Sequence, residues 1–198
     1  MRAIVTILAA MFALAGSRQA EAAPITYFES ITTDGVLGGT VFTNELVTLS
    51  FTADTSNVTA GPGSSFTNIP SISTVTVAGV GSATFSDPVS LSVFVFPTFS
   101  EFSVTDTALS TDILDTFALT SVFAGYDMTT PLGPVSGGAA YSVGTLFPTS
   151  VGNFEFTKTG GGVSSVSAVP EPSSLFLIAL GLSGLAAHRM SRRVRTRS

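Results

Sequence analysis

The sequence predicts an all-β protein, an antiparallel β-sandwich of the immunoglobulin-like or jelly-roll type, with a short segment on either side. Ser and Thr supply 46 of the 146 residues from 24 to 169, alongside many Val and Phe, and this composition favours strands over helices. Apolar and polar residues alternate with a period of two, as expected for half-buried strands. Gly and Pro clusters separate these stretches at short intervals, which is typical of two packed antiparallel sheets.

Three stretches show the alternation most clearly. Their apolar members are Val47, Leu49 and Phe51; Val89, Leu91, Val93 and Val95; and Phe154 and Phe156. Turns are predicted at Asp34-Gly35, Gly61-Pro62-Gly63, Gly79-Val80-Gly81, Asp87-Pro88, Pro131 to Pro134 and Gly160 to Gly162. Residues 108–119 stay open between a strand and a short helix, because Leu109, Ile113 and Phe117 recur at helical spacing. Residues 163–168 are expected to form either a last strand or a flexible stem.

Charged residues divide the chain into three pieces. Residues 24–169 hold eleven acidic side chains and one basic side chain, Lys158, so this body carries a net charge of −10. The remaining basic residues lie near the two chain ends, and the whole chain has a formal net charge of −5. Because phosphate binding needs clustered Lys and Arg, this distribution excludes nucleic acid as a partner.

Residues 1–22 predict a secretory signal peptide. Arg2 precedes an apolar run over residues 3–15, and the small residues Ala20 and Ala22 stand at positions −3 and −1 of a cleavage site after Ala22. Signal peptidase is therefore expected to remove this segment, so that residues 23–168 form an exported β-domain.

The tail predicts a short transmembrane helix. Residues 175–187 are apolar or small, and thirteen residues make about 20 Å of helix, less than the ~30 Å hydrocarbon core. Five arginines follow at the position that the positive-inside rule gives to a cytoplasmic end. They are Arg189, Arg192, Arg193, Arg195 and Arg197. We expect this segment to be anchored transiently in the inner membrane.

Pro170, Glu171 and Pro172 precede that helix, which contains Gly181, Ser183 and Gly184. Together with the arginine-rich end, residues 169–198 resemble the PEP-CTERM sorting signal of exported proteins in Gram-negative bacteria. The resemblance implies processing by a membrane exosortase near the Pro-Glu-Pro motif. It also implies release to the cell surface or to an extracellular, biofilm-type matrix containing exopolysaccharide. It covers only the tail and assigns no activity to the body.

The body lacks the side chains of the common nucleophilic active sites. The chain has no Cys, and its single histidine is His188 in the tail, so a Ser-His-Asp triad and a Cys-His dyad are excluded within the body. Lys158 is expected to be an edge-strand lysine. Spacing alone leaves open a glycosidase pair, either Glu101 with Asp106 or Asp112 with Asp115, but Trp, Arg and His are missing around them. The leading expectation is a non-catalytic structural or adhesive protein.

The alternative hypothesis is a calcium-dependent carbohydrate- or ligand-binding module. Ca²⁺ prefers oxygen ligands, and the densest run of acids in the body supplies the candidate ligands Asp106, Asp112, Asp115 and Asp127. The competing interpretation is that these acids are solvated and keep the surface soluble. Most of the Phe residues are expected in the core, because sugar-binding platforms prefer Trp and Tyr.

Overall fold

The computed structural model describes residues 23–158 and 162–170. The predicted signal peptide, the predicted transmembrane helix and part of the glycine turn at 160–162 lie outside these ranges. Within them are thirteen strands, one four-residue helix and a short 3-10 turn at Thr55–Asn57. The strands are β1 Pro24–Leu37, β2 Thr40–Asp54, β3 Thr59–Gly61, β4 Ser65–Asn68, β5 Ile72–Val77, β6 Gly81–Thr84, β7 Val89–Val95, β8 Ser100–Asp106, β9 Thr111–Ala118, β10 Leu132–Tyr141, β11 Phe147–Thr149, β12 Gly152–Phe156 and β13 Val163–Pro170, and the helix α1 is Thr120–Phe123.

The predicted all-β antiparallel class is confirmed, since every pairing between these strands is antiparallel. The strands join in one continuous sheet in the order β3-β4-β7-β8-β9-β10-β13-β1-β2-β5-β6, whereas two separate sheets were expected; β12 pairs with β1 and β11. The half of this sheet that contains β7, β8 and β9 faces the half that contains β1 and β2. Tyr27 of β1 lies against Phe102 of β8, with ring centroids 6.1 Å apart. The immunoglobulin-like or jelly-roll type stays a prediction.

The core lies between the two halves and follows the predicted alternation. Val47, Leu49 and Phe51 of β2 are fully buried, while the residues between them point outwards. Phe154 and Phe156 of β12 are fully buried as well. The alternate apolar residues of these strands therefore bury the apolar surface area that stabilises the sheet.

Within residues 108–119 the structure has the strand β9, Thr111–Ala118, preceded by a turn, so the segment is a strand and not a short helix. Asp106 accepts hydrogen bonds from the backbone N–H groups of Ala108 and Leu109, at 3.0 and 2.9 Å, and so shapes the turn that leads into β9. A register shift between Val104 and Thr105 leaves Ile113 without an opposite residue on β8. The extra residue is a β-bulge. Leu109 is 43% exposed in the preceding turn whereas Ile113 is fully buried, so the residues at helical spacing do not share one face.

Two of the predicted turns lie in or overlap strands, which corrects those expectations. Asp34-Gly35 lies within β1 at a register shift, and a Cβ on Gly35 would overlap the carbonyl oxygen of Glu155 on β12. Glycine is needed there for a close approach of two strands. The segment from Pro131 to Pro134 overlaps the start of β10, which has its own register shift. The turns at 61–63, 79–81 and 87–88 do separate strands or overlap only their terminal residues.

β13 is an interior strand of the sheet. It pairs with β1 on one side and with β10 on the other, and Ser164 and Val166 are fully buried. It ends at Pro170, so the predicted domain boundary at residue 168 falls inside it. No helix of the described ranges is long and apolar enough to cross a membrane.

Candidate functional site

The two ends of the described chain lie side by side. Ile25 at the start of β1 is paired with Pro170 at the end of β13, and Thr26 is paired with Val169. The first residues after the predicted signal-peptide cleavage site therefore adjoin the first residue of the Pro-Glu-Pro motif. The other predicted residues of the sorting signal lie outside the described ranges; they are Glu171, Pro172, Arg189, Arg192, Arg193, Arg195 and Arg197.

Three of the predicted calcium ligands have hydrogen-bonding roles of their own. Asp106 caps the β8–β9 turn, as described above. Asp127 accepts from the backbone N–H and the hydroxyl of Thr129, at 3.0 and 2.7 Å, and these bonds lower its pKa. Asp112 accepts from the Thr105 hydroxyl at 2.8 Å.

The described residues contain no group of three or more His, Cys, Asp or Glu side chains placed to hold a metal ion. The structure therefore does not bring the four predicted ligands into one site. Of the two carboxylate pairs that spacing left open, Glu101 and Asp106 lie five residues apart on β8. They point to opposite faces, roughly 16 Å apart along the strand.

Asp112 and Asp115 do come together, on the outer face of the β8–β9 pair. Asp115 is opposite Ser103 in the register, and the Ser103 hydroxyl also approaches Asp112 at 3.4 Å. Burial raises the pKa of Asp115 to about 7, the hydrogen bond from Ser103 opposes this shift, and the charges of Asp112 and Glu101 add to it. Burial and the charge of Asp112 also raise the pKa of Glu101. This face therefore carries several carboxyl groups in close electrostatic contact.

A strip of four phenylalanines, which we call the Phe strip, lies beside these carboxyl groups. Its members are Phe94, Phe96, Phe99 and Phe117. Ring centroids are 6.1 Å apart between Phe94 and Phe96, 4.5 Å between Phe96 and Phe99, and 5.9 Å between Phe99 and Phe117. Phe96 is 39% exposed and Phe99 is 36% exposed.

Most phenylalanines of the described ranges lie in the core, as expected, and the Phe strip is an exception. Its signal was present in the sequence, since Phe94 falls in the polar phase of β7, in line with Ser90 and Ser92. The backbone N–H of Phe96 bonds to the carbonyl of Phe99 at 2.9 Å, which closes the turn between β7 and β8 and sets these two rings next to each other. Sequence reasoning missed the strip because it counted phenylalanines without assigning each one to a face.

The outer face of the opposite half of the sheet is rich in hydroxyl groups. One row of paired residues crosses six strands and contains no charged side chain: Ser136, Ser165, Ser30, Thr48, Thr76 and Ser82. Neighbouring hydroxyls bond to each other across the strands, with Thr76 and Ser82 2.8 Å apart and Ser50 and Thr74 2.6 Å apart. The abundant Ser and Thr therefore produce a neutral, hydrogen-bonding face.

A buried carboxyl group lies between the two halves. Glu29 of β1 occupies the inward phase beside Tyr27 and Ile31 and is fully buried. The Thr116 hydroxyl of β9 approaches Oε1 of Glu29 at 2.5 Å and the Ser164 hydroxyl at 2.6 Å, while Oε2 has no hydrogen-bond partner. Burial raises the pKa of Glu29 well above its ordinary value, and the hydrogen bond from Thr116 opposes this shift only partly. Burial of Glu29 therefore favours the protonated, uncharged form of this carboxyl group.

Comparison with known proteins identifies the tail. Residues 168–193 match the family description of a PEP-CTERM protein-sorting motif. No curated protein and no solved structure matches the chain. The match begins at Ala168, so its first three residues are the last three of β13. The chain carries a PEP-CTERM sorting motif, and this motif indicates an exported protein that an exosortase sorts.

Proposed function

We propose that this chain is a non-catalytic structural or adhesive protein of the cell surface or extracellular matrix of a Gram-negative bacterium. The observation that carries the proposal is the sorting motif at residues 168–193. The body supports it through its composition, because residues 24–169 contain neither His nor Cys. Its partners during export are signal peptidase, the inner membrane and the exosortase, and its partner after release is exopolysaccharide.

The pairing of the chain ends supports a domain that folds while both ends are held at one membrane. β1 begins and β13 ends at the same end of two neighbouring strands, so the predicted signal peptide and the sorting tail are joined to the body at one place. Both hydrophobic segments then reach the membrane from one side of the body without unpairing a strand.

Two tail variants with a C-terminal tag test the proposal. Replacing all five tail arginines with Gln removes the stop signal, so unprocessed protein is expected to move into the periplasm. Replacing Pro170, Glu171 and Pro172 with Ala keeps the stop signal but removes the motif, so full-length protein is expected to collect in the inner membrane. Cell fractionation with detection of the tag separates the two outcomes.

Lys158→Gln is the matched control, because it removes a positive charge from the body instead of the tail. This variant is expected to be processed and released like the parent chain. If the arginine variant is also processed and released normally, the tail does not act as a transient anchor. If the Pro-Glu-Pro variant is released without its tag, processing does not depend on the motif.

A further inference from the structure

The Phe strip is an apolar surface next to two hydrogen bonds that run from side-chain hydroxyls to backbone carbonyls. The Thr120 hydroxyl donates to the carbonyl of Phe96 at 3.0 Å, and the Ser100 hydroxyl donates to the carbonyl of Leu119 at 2.8 Å. These bonds join the turn between β7 and β8 to the segment that enters α1. Leu119, which is 73% exposed, extends the apolar surface beyond the rings.

Carboxyl groups lie within and beside the strip. Glu101 is the cross-strand partner of both Phe94 and Phe117, so a half-buried carboxyl group stands between two of the rings. Asp112 and Asp115 follow on the same outer face, with the hydroxyls of Ser103 and Thr105 next to them. Lys158 is the single basic side chain in the part of the chain that the structure describes.

This combination favours a ligand that has C–H faces, carries positive charge and is not anionic. The ring faces carry partial negative charge and attract C–H groups and cations. The carboxylates attract positive charge and accept hydrogen bonds from ammonium and hydroxyl groups. An anionic polymer would be repelled by the net charge of −10 on the body.

We infer that the Phe strip, with Glu101 and Asp112, binds a cationic polysaccharide built from amino sugars with free ammonium groups. The C–H faces of the sugar rings lie on Phe96 and Phe99, and the ammonium groups bond to the carboxylates. The inference rests on the proposed location in a polysaccharide matrix, and it names the class of polymer and the face that contacts it.

The test is calorimetric titration of the purified full-length chain in detergent with four hexasaccharides of matched length. They are a hexamer of glucosamine, its fully N-acetylated form, a glucose hexamer and a galacturonate hexamer. The glucosamine hexamer is expected to bind at least about tenfold more tightly than the acetylated hexamer, and the galacturonate hexamer not to bind. Raising the salt from about 20 mM to about 300 mM is expected to weaken the binding, since part of the attraction is electrostatic.

Three variants locate the surface. Phe99→Ala and Glu101→Gln are each expected to weaken binding of the glucosamine hexamer by about tenfold or more. Phe28→Ala is the matched control, because Phe28 is also 36% exposed but lies on the hydroxyl-rich outer face of the other half. It is expected to leave binding unchanged. Glu101→Gln keeps the shape of the side chain, so it isolates charge if Phe99→Ala disturbs the fold.

Several results would overturn the inference: equal binding of the glucosamine and acetylated hexamers, no binding at millimolar concentration, or loss of binding in Phe28→Ala but not in Phe99→Ala. Self-association of the chain that Phe99→Ala abolishes, without sugar binding, would assign the strip to a second copy instead. None of these results affects the sorting proposal, because the titration uses chain that no exosortase has processed.

Discussion

Ile25 and Pro170 are paired across neighbouring antiparallel strands, although 145 positions separate them in the sequence. The pair joins the start of the exported domain to the first residue of the Pro-Glu-Pro motif. Because β13 also pairs with β10, the strand before the motif is an integral part of the sheet. Sorting signal and folded domain therefore meet without a linker.

The first prediction is that the domain needs β13 in order to fold. A chain of residues 23–170 is expected to unfold cooperatively on heating, whereas a chain of residues 23–162 is expected to lack a cooperative transition. Removal of β13 unpairs two strands and exposes the core around Val166. Circular dichroism during a thermal ramp shows whether each of the two chains has a cooperative unfolding transition. A native-like transition in the shorter chain would show that β13 is dispensable.

The second prediction concerns two adjacent glycines of β10. A Cβ on Gly137 would overlap the carbonyl oxygen of Phe117 on β9, whereas a Cβ on Gly138 would meet no atom within 4 Å. Gly137→Ala is expected to lower the free energy of unfolding by roughly 1–3 kcal/mol through overpacking against backbone. Gly138→Ala is its control and is expected to leave stability unchanged or slightly higher. Denaturant titration compares them, and equal effects would contradict the close strand approach.

The third prediction concerns the Thr116 hydroxyl. Thr116→Val keeps the shape of the side chain but removes the contact to Glu29 and Ser164, which leaves a buried carboxyl group without a hydrogen-bond partner. The expected loss is roughly 1–3 kcal/mol of unfolding free energy. Thr116→Ser retains the hydroxyl and is expected to lose less. If the serine variant is as unstable as the valine variant, the methyl group matters more than the hydrogen bond.

The fourth prediction is that stability decreases as the pH rises from about 4.5 to about 8. Burial raises the folded-state pKa of Glu29 and of Asp115, so the folded protein holds these protons more tightly than the unfolded chain. For Asp115 the contribution is complete below its ordinary value of 3.8 and is lost as the pH rises through about 7. The lowered pKa values of Asp54 and Asp127 act in the opposite direction, but only at more acidic pH.

Melting temperatures of the parent chain and of Asp115→Asn across this range provide the measurement. The variant is expected to show a flatter pH profile and a higher melting temperature at pH 8. Glu45→Gln is the control, since Glu45 is a partly exposed residue of β2, and it is expected to keep the parent profile. A melting temperature that increases steadily with pH would contradict the raised pKa values of Glu29 and Asp115.

The fold class could be predicted from the sequence because alternation and turn residues are local signals. Val47, Leu49 and Phe51 identify β2 without knowledge of its neighbours. The bulge at Ile113 could not be predicted, because it arises from the register between β8 and β9. The same holds for Gly35 in β1, whose role depends on the backbone of β12, far along the chain.

The candidate sites also differ in how far the sequence alone predicts them. The sorting motif is contiguous in sequence and was recognised from its residues. The sequence indicates only Phe94 of the Phe strip, through its place in the polar phase of β7. The complete strip and the contact between Glu29 and Thr116 join residues from different strands, so they depend on the pairing. The four aspartates chosen as calcium ligands are close in sequence, but the β8–β9 turn and the loop before β10 hold Asp106 and Asp127 in local hydrogen bonds.

The most direct test of the central claim is mass spectrometry of the protein recovered from the culture supernatant and the cell surface. We expect an N-terminus at or near Ala23, a chain that retains β13 through Pro170, and no peptide from Ser174 onwards. An intact C-terminus in all of the exported material would contradict exosortase processing. A product that ends within β13 would contradict the position of that strand in the mature domain.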